Sequence, residues 1–243
     1  MGIFGKIVEF RKKREEKIRE IKKVKEAGAV NEFRIKEAVS GDFSELIRKF
    51  GDSSLIMLIT GRRGSGKTAL GMKLVEIANI LGKQSYVIGF ESARLPRWIK
   101  KAGSIEDVKN DSVVMIDEAA LAFSARESMK KTNKELGKLM AIARHKNLSL
   151  VIITQSSAML DLNVLRLTDI LLFKEPSLLQ ARFERKALQD IFENVQKRFD
   201  NIKSDRNKHA YILSDFFEGL LSHNLPQFWN DGISKSYAKA KIE

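Results

Sequence analysis

The sequence predicts an α/β fold in which a parallel sheet carries helices on both faces. From residue 53 onward, short apolar segments alternate with amphipathic ones, and a glycine-rich loop joins the first apolar segment to a helix. Continuously apolar strands are typical of parallel sheets, because crossover helices bury both faces of such a sheet. The chain has 243 residues, of which 43% are hydrophobic, so it is long enough to bury a sizeable core.

The predicted elements follow one another in a regular order. A buried strand at Leu55 to Thr60 precedes a helix whose apolar residues keep helical spacing through Leu81. Further helices are predicted around Lys134 to Lys146 and from Pro176 through Phe199. The remaining strands are predicted near Tyr86 to Phe90, Val113 to Ile116, Leu150 to Thr154, Ile170 to Phe173 and Tyr211 to Leu213.

Composition divides the chain into three parts. Residues 1–50 are predicted to form a basic helical N-terminal extension, residues 51–215 the core, and residues 216–243 a C-terminal tail. Between Lys6 and Lys25, ten basic residues stand against four glutamates. This helix is either a solvated element that packs a thin stripe on the core, or an interaction arm for nucleic acid, a membrane surface or a partner subunit. Its stripe consists of Ile7, Phe10, Ile18, Ile21 and Val24.

Composition also excludes several classes of protein. Because the chain has no cysteine, it has no disulfide scaffold and no thiol nucleophile, and three histidines are too few for a His-rich metal cluster. The longest apolar runs fall far short of the roughly 18 residues that a membrane span needs. The first thirty residues also lack the apolar centre of a secretory signal. We therefore expect a cytoplasmic protein, in the host cytoplasm if a virus encodes it.

The charge balance favours a polyanionic partner. The chain has 44 Lys and Arg against 31 Asp and Glu, a formal net charge of +13. A basic surface gains affinity for DNA or RNA by releasing counterions, and it also attracts an anionic lipid leaflet. Charge alone does not choose between these partners, and a basic protein with no polyanionic partner stays open.

A glycine-rich loop carries the strongest chemical signal. It matches the GxxxxGK[ST] phosphate-binding pattern between a predicted strand and a predicted helix. Its backbone N–H groups and the helix start bind phosphates, so Arg62 and Arg63 contribute only their backbone. We expect Lys67 to neutralise the β- and γ-phosphates and the Thr68 hydroxyl to ligate Mg²⁺. The sequence thus predicts a P-loop nucleotide-binding fold that uses ATP and Mg²⁺. The loop residues are Gly61, Arg62, Arg63, Gly64, Ser65, Gly66, Lys67 and Thr68.

Two acidic residues follow the predicted strand at Val113 to Ile116. An Asp at that place is by itself an ordinary strand end, but the phosphate loop gives the pair a chemical interpretation. We expect Asp117 to hold Mg²⁺, directly or through water, and Glu118 to act as the general base that polarises the attacking water. The pair therefore indicates ATP hydrolysis rather than nucleotide binding alone.

Two weaker candidates lie around the next strand. Gln155 follows Leu150 to Thr154, where Gln is more often a turn residue. If that strand lies beside both motif-bearing strands, its amide reaches the γ-phosphate side and can position water. Arg144 ends the preceding helix. It is either a positive helix cap or a group that reaches the phosphates of a neighbouring subunit or a nucleic-acid backbone.

Together these motifs resemble the FtsK-HerA superfamily of P-loop ATPases. Within it they are most similar to zonular occludens toxin (Zot)-like proteins of filamentous phages and to genome-packaging ATPases of archaeal viruses. An expected lack of a membrane span sets the chain apart from Zot-like phage proteins. The resemblance covers roughly residues 53 to 175 and lies in Gly61 to Thr68, Asp117 to Ala120, Ala143 to Asn147 and Ile153 to Gln155.

The resemblance implies an additional-strand, RecA-like core in which the Glu-bearing strand lies next to the phosphate-loop strand. It also implies a homo-oligomeric ring, often a hexamer, that moves double-stranded DNA by hydrolysing ATP. An arginine finger acting in trans is implied as well, with Arg144 as the first candidate and Arg126 as the second. Four lysines after the Asp-Glu strand either line the channel of such a ring or form a solvated helix face: Lys130, Lys131, Lys134 and Lys138.

We therefore predict an ATPase motor that translocates or packages double-stranded DNA. The alternative is a nucleotide-dependent assembly or switch ATPase at a membrane surface, whose N-terminal helix contacts the membrane or a capsid. A small-molecule kinase fits less well, because Glu118 and Gln155 suit attack by water and no Arg-rich lid segment is evident.

Overall fold

The computed structural model describes residues 3–117, 129–154, 162–177 and 186–234. All six strands predicted from the sequence are present close to their predicted bounds. The strands are β1 (Phe33–Gly41), β2 (Ile56–Thr60), β3 (Ser85–Ile88), β4 (Ile99–Lys101), β5 (Val113–Ile116), β6 (Ser149–Ile153), β7 (Ile170–Phe173), β8 (His209–Ser214) and β9 (Phe217–His223). The helices are α1 (Ile3–Asn31), α2 (Phe43–Asp52), α3 (Lys67–Leu81), α4 (Met129–His145), α5 (Leu162–Leu165), α6 (Lys186–Asp200) and α7 (Asp231–Ser234).

The strands form one mainly parallel sheet in the order β1-β9-β8-β7-β2-β6-β5-β3-β4. The six strands from β7 to β4 are parallel to their neighbours. On the other side of β7, the strands β8, β9 and β1 add antiparallel pairs. Parallel neighbours need crossover connections, which the helices between the strands supply. The predicted α/β fold with a parallel-sheet core is confirmed.

Helices cover both faces of the sheet, and alternate residues of each strand divide between two cores. In β2, Met57 and Ile59 pack in the core that α2 and α3 cover. Ile56 and Leu58 point the other way, into the core that α4 and α6 cover. This division follows from strand geometry, because successive side chains point to opposite faces. A strand buried on both faces is therefore apolar throughout, as the sequence of β2 is.

The order of the central strands corrects one expectation. The strand that precedes Glu118 is β5, and it was expected next to β2, which carries the phosphate loop. Instead β6 lies between them, with Ile152 opposite Leu58 of β2 on one edge and opposite Ile116 of β5 on the other. The sequence could not show this order, because all three strands are buried at every position and read as equivalent apolar runs.

Three strands, β1, β4 and β9, lie where the sequence analysis expected none, and two of them fall outside the predicted core. The first, β1, falls within the predicted helical extension, and its partner β9 falls within the predicted tail. The sheet therefore runs past both predicted boundaries, at residues 50 and 215, although the three-part division itself stays a prediction. The edge strand β1 has only Phe33 buried, so its sequence lacks the apolar pattern that marks the central strands.

A buried charge cluster on α3, the helix that carries the end of the phosphate-loop motif, binds two segments that are distant in sequence, one before β1 and one after β9. Lys73 of α3 is 1% exposed and donates from Nζ to Glu32 at 2.6 Å and to Glu76 at 2.7 Å. Burial acts to lower the pKa of Lys73, but these hydrogen bonds outweigh burial and raise it. Glu76 also accepts a bond from the backbone N–H of Gln227 at 2.8 Å. The start of β1 and the segment after β9 are thus both held at α3.

Replacing Gly219 by Ala tests the close pairing of β9 with β1. An added Cβ would contact the Glu37 carbonyl oxygen, and it would lie 2.7 Å from Phe217 Cζ and 3.2 Å from Ala38 Cα. Because the backbone of β1 would have to move, we expect Gly219→Ala to lower the free energy of unfolding by about 1 to 3 kcal/mol. Urea denaturation measures this change.

The control for that measurement is Gly28→Ala. An added Cβ at Gly28, on the helix α1, would meet nothing within 4 Å among the described residues. Alanine favours helix over glycine, so this variant should be unchanged or gain up to about 1 kcal/mol. Equal effects of the two substitutions would contradict the pairing of β1 with β9.

Candidate functional site

The sequence motifs meet at one edge of the sheet. Parallel strands end at the same edge, so the segments that follow β2, β5, β6 and β7 lie side by side there. The phosphate loop follows β2, and Asp117 follows β5. Between them ends β6, whose Thr154 N–H donates to the Ile59 carbonyl of β2 at 3.0 Å. We refer to this side of the sheet as the carboxyl edge.

The phosphate loop has the backbone conformation that its glycines permit. Gly61, Gly64 and Gly66 have φ of +145°, +77° and +86°, values that residues with a side chain rarely adopt. The helix α3 begins at Lys67, within the loop motif, so the positive end of the helix dipole lies at the loop. The Lys67 ammonium donates to the carbonyl oxygens of Gly61 at 2.8 Å and Arg62 at 2.9 Å.

The loop also fits a phosphate ligand in its polar atoms. Ser65 is 1% exposed, and among the described residues its hydroxyl has no hydrogen-bond partner. A buried hydroxyl without a partner costs free energy, and a phosphate oxygen is an acceptor that would satisfy it. The loop thus brings an ammonium and an unsatisfied hydroxyl together with a glycine-rich backbone and a helix start, a combination that suits phosphate binding.

The oxygen donors expected for Mg²⁺ suit that ion. Thr68, in the first turn of α3, and Asp117, after β5, are both partly buried at the carboxyl edge. The described residues contain no group of three or more His, Cys, Asp or Glu that could form a complete metal site. Such a group is not required, because Mg²⁺ typically takes one or two protein oxygens and completes its shell with phosphate oxygens and water.

Glu175, directly after β7, binds the phosphate loop to a neighbouring turn. Its carboxylate is 5% exposed and accepts from Arg62 Nη2 at 2.5 Å and from Arg206 Nη1 at 2.8 Å. Its carbonyl oxygen accepts from the Arg62 N–H at 2.9 Å. Arg206 begins a short 3-10 turn, Arg206–Lys208, that leads into β8. The Arg62 side chain, expected to play no part, therefore anchors the loop.

Lys174 precedes Glu175 and lies beneath the loop. It is fully buried, and its Nζ donates to the Asn207 carbonyl at 2.6 Å. His223, at the end of β9, lies 3.3 Å from the same Nζ through its Nε2 atom. Burial, reinforced by the charge of Lys67, lowers the pKa of Lys174 to about 7. Burial and the Lys174 charge lower the pKa of His223 to about 3, so this imidazole is neutral at ordinary pH.

Sequence reasoning missed Lys174 and Glu175, although a signal for them exists. Both follow the apolar strand β7, in the same way that Asp117 and Glu118 follow β5. Charged residues directly after a buried parallel strand fall on the carboxyl edge, where ligands bind in open α/β sheets. The segment after each predicted strand is therefore a candidate for the site. The sequence analysis considered the charged segments after β2 and β5 and passed over the one after β7.

Arg144 is the one predicted site residue that the structure places elsewhere. It lies at the end of α4, just before β6 begins, and its Nη2 donates to the Leu167 carbonyl at 3.4 Å, just before β7. These are the starts of parallel strands, so Arg144 lies at the edge opposite the phosphate loop. The separation is about one strand length, roughly 15 Å. The structure does not bring Arg144 to the phosphate loop of its own chain.

Three predicted residues lie outside the described residues: Glu118, Gln155 and Arg126. Their roles stay predictions. The expectation for Gln155 depends on its strand lying beside both motif-bearing strands, and β6 does lie between β2 and β5. Of the four lysines considered for a channel, only Lys138 has a described side chain, which is exposed on α4.

Comparison with known families decides the relationship of the chain. The family model of zonular occludens toxin (Zot) matches residues 70–212, more than half of the chain. The chain belongs to the Zot family. The match begins just after Thr68, so it is independent of the phosphate loop. The predicted resemblance to Zot-like proteins is confirmed.

Two solved structures are similar to this Zot-family protein. The conjugation coupling protein TcpA of pCW3, in its monomer form with ATP-gammaS, matches with a TM-score of 0.50 and 11% identity, covering 72% of this chain and 61% of that chain. The genome packaging NTPase B204 from Sulfolobus turreted icosahedral virus 2, also with ATP-gammaS, gives a TM-score of 0.45 and 15% identity, covering 71% of this chain and 97% of that chain. At such identities the likeness to TcpA concerns the fold alone. No curated protein sequence matches the chain.

Glu175→Gln tests the anchoring of the loop. The amide keeps the shape of the side chain but loses the charge that both arginines bind. Because Arg62 and Arg206 are partly exposed and can be hydrated, we expect the free energy of unfolding to fall by about 1 to 2 kcal/mol in urea denaturation.

The matched control is Glu45→Gln. Glu45 pairs with Arg48 at 3.2 Å on the surface of α2, with side chains 44% and 53% exposed. Exposed pairs contribute little, so this variant should lose at most about 0.5 kcal/mol. A Glu175→Gln protein as stable as the Glu45→Gln protein would contradict the anchoring role.

Proposed function

We propose that this Zot-family protein is an ATPase that translocates or packages double-stranded DNA as a homo-oligomeric ring, which we infer to be a hexamer in the cytoplasm. The observation that carries the proposal is the placement of the phosphate loop and Asp117 at one edge, on either side of the strand that leads to Gln155. From this arrangement we expect the phosphates, the Mg²⁺ ligands and the water-activating side chains to fall within one site. The net charge of +13 supports DNA as the partner.

In the proposed bound state the phosphates lie in the loop, against its N–H groups and the start of α3. Lys67 exchanges its carbonyl acceptors, on Gly61 and Arg62, for β- and γ-phosphate oxygens. Thr68 and Asp117 hold Mg²⁺, which supplies neutralisation of phosphate charge. Glu118 accepts a proton from the attacking water, and Gln155 orients that water in line with the bond that breaks.

The position of Arg144 favours the ring. Arg144 is exposed at the edge opposite its own phosphate loop, so it can stabilise transferred phosphate charge only at the site of a neighbouring subunit. An arginine supplied in trans couples hydrolysis in one subunit to the placement of the next.

Steady-state hydrolysis of ATP, with and without linear double-stranded DNA, tests the proposal. We expect stimulation by DNA that weakens as salt is raised, because phosphate contacts release counterions. Lys67→Ala and Glu118→Gln should each lower hydrolysis by about 100-fold or more. Lys109→Ala, at an exposed lysine in the loop before β5, is the control and should match wild type. Full activity in both site variants would refute the assigned roles.

Mixing wild-type and Arg144→Ala protein in varied ratios tests the trans-acting arginine. If one variant subunit blocks the site of its neighbour, activity should fall more steeply than the wild-type fraction. Arg48→Ala, at an exposed arginine on α2, is the control and should leave the activity of every mixture unchanged. A strictly proportional fall with Arg144→Ala would argue against a role in trans.

A second candidate function rests on the surface of α1. Ile18, Ile21 and Val24 are 55%, 49% and 72% exposed on this basic helix, so they do not pack on the described core. An apolar stripe flanked by lysines and arginines suits the interface of an anionic membrane. None of the helices in the described ranges is both long enough and apolar enough to cross a bilayer. This surface favours the alternative, a switch or assembly ATPase acting at a membrane.

Binding to vesicles of phosphatidylserine and phosphatidylcholine distinguishes the two functions. For the membrane function we expect sedimentation with the vesicles that is lost when Ile18, Ile21 and Val24 are all changed to Ser, and hydrolysis indifferent to DNA. The control changes Ile35 and Val39 to Ser, two residues similarly exposed on β1. Stimulation of hydrolysis by DNA without vesicle binding would instead support the motor.

A further inference from the structure

We propose that Lys174 is a positioning residue for the phosphate loop, which it holds in its binding shape while adding positive charge behind the phosphates. The inference rests on the proposed function, because it requires a nucleotide in the loop. Neither the phosphate-binding motif nor the residues assigned to hydrolysis include Lys174, and a fully buried lysine at the carboxyl edge needs a physical reason.

The first reason is contact with both ends of the loop. A Cβ built on Gly61 would lie 2.8 Å from Lys174 Cβ and 3.0 Å from its backbone carbon. A Cβ built on Gly66 would lie 3.6 Å from Lys174 Cε and 3.7 Å from its Nζ. The lysine stem therefore runs beneath the loop from its first glycine to its last, and it fixes the distance between them.

The second reason is how the ammonium end is held. His223 Nδ1 lies 3.0 Å from the Asn224 carbonyl, so Nδ1 carries the proton and Nε2 is the acceptor. Lys174 thus donates both to His223 Nε2, at 3.3 Å, and to the Asn207 carbonyl, at 2.6 Å. These bonds link the loop to β9 and to the turn before β8, neither of which neighbours β2 in the sheet.

The third reason is charge. The ionisable groups that act on Lys174 or on its neighbours in the described residues come from several elements: Lys67 and Lys73 of α3, His209 of β8, His223 of β9, and Glu175 with its partner Arg206. His223 is neutral, and the Glu175 carboxylate is bonded to Arg62 and Arg206. With a pKa of about 7, Lys174 is protonated in only part of the free protein near neutral pH.

Bound phosphates favour the protonated form, so they raise the pKa of Lys174 from its lowered value in the free protein. The protein therefore takes up protons when nucleotide binds near neutral pH. Affinity for nucleotide is therefore greatest below pH 7, where Lys174 is already charged, and it falls as the pH rises through the raised pKa of the bound state. Each unit by which binding raises that pKa is worth about tenfold in affinity.

Calorimetric titration of ADP with Mg²⁺ into the protein, from pH 6 to pH 9, tests the inference. The affinity of wild type for ADP should fall with pH, and this fall should be about tenfold larger than the fall in Lys174→Met. The Lys174→Met protein should also bind ADP more weakly than wild type. Titrations of wild type at pH 7.5 in buffers with different ionisation enthalpies count the protons taken up on binding. This number should exceed the number that the phosphates of the nucleotide themselves exchange. This second measurement needs no variant and stands if Lys174→Met fails to fold.

The control is Lys83→Met. Lys83 is a partly buried lysine whose pKa burial lowers to about 8, but it donates to the Ser53 carbonyl and the Ser149 hydroxyl at the opposite edge of the sheet. It should keep the wild-type pH profile, because it lies far from the loop.

The outcomes separate the inference from the proposed function. Nucleotide binding without extra proton uptake, or a Lys174→Met protein that keeps the wild-type pH profile, would overturn the role of Lys174 and leave the nucleotide site intact. Absence of nucleotide binding by wild type at every pH would overturn both.

Discussion

The contact between the phosphate loop and the end of β7 is the constraint on which the candidate site depends. At Gly61 the backbones come so close that a Cβ would lie 2.8 Å from Lys174, and the next residue bonds to Glu175 through both its N–H and its guanidinium. A flexible glycine-rich loop loses conformational entropy when it binds phosphate. An anchor on a rigid strand lowers that loss, because the loop is already held in its bound shape.

The antiparallel part of the sheet helps to hold the end of β7 against the phosphate loop. The strands β8 and β9 do not pair with β2, yet β9 supplies His223 and the turn before β8 supplies Arg206 and Asn207 to the residues beneath the phosphate loop. The edge strand β1 holds β9 in place, and the Lys73 cluster fastens the start of β1 to the helix that follows the loop. The strands β1 and β9 thus support the site from the side of the sheet opposite Asp117.

Much of the fold could be predicted, because the central strands and the phosphate loop are encoded locally. An apolar run buried on both faces, or a glycine pattern that requires positive φ, is visible in a few neighbouring residues. Strand order is not, since β2, β5 and β6 are equally apolar and only long-range pairing places β6 between the others. The strand β1 escaped prediction for the opposite reason, because it is exposed at every position after Phe33. Lys174 and Glu175 reach the phosphate loop only because β7 lies beside β2, and this pairing cannot be read from neighbouring residues in the sequence.

Equilibrium binding of a non-hydrolysable ATP analogue, with Mg²⁺, to wild type and to Gly61→Ala tests the central claim most directly. The claim is that a nucleotide binds in the loop whose shape is set by the end of β7. Wild type should bind one nucleotide per chain, and Gly61→Ala should bind at least about tenfold more weakly, because the added methyl group forces the loop away from Lys174. Gly137→Ala, at a helical glycine of α4 with no described neighbour within 4 Å, should bind as wild type does. Wild type that binds no nucleotide, or a Gly61→Ala protein with unchanged affinity, would contradict the account.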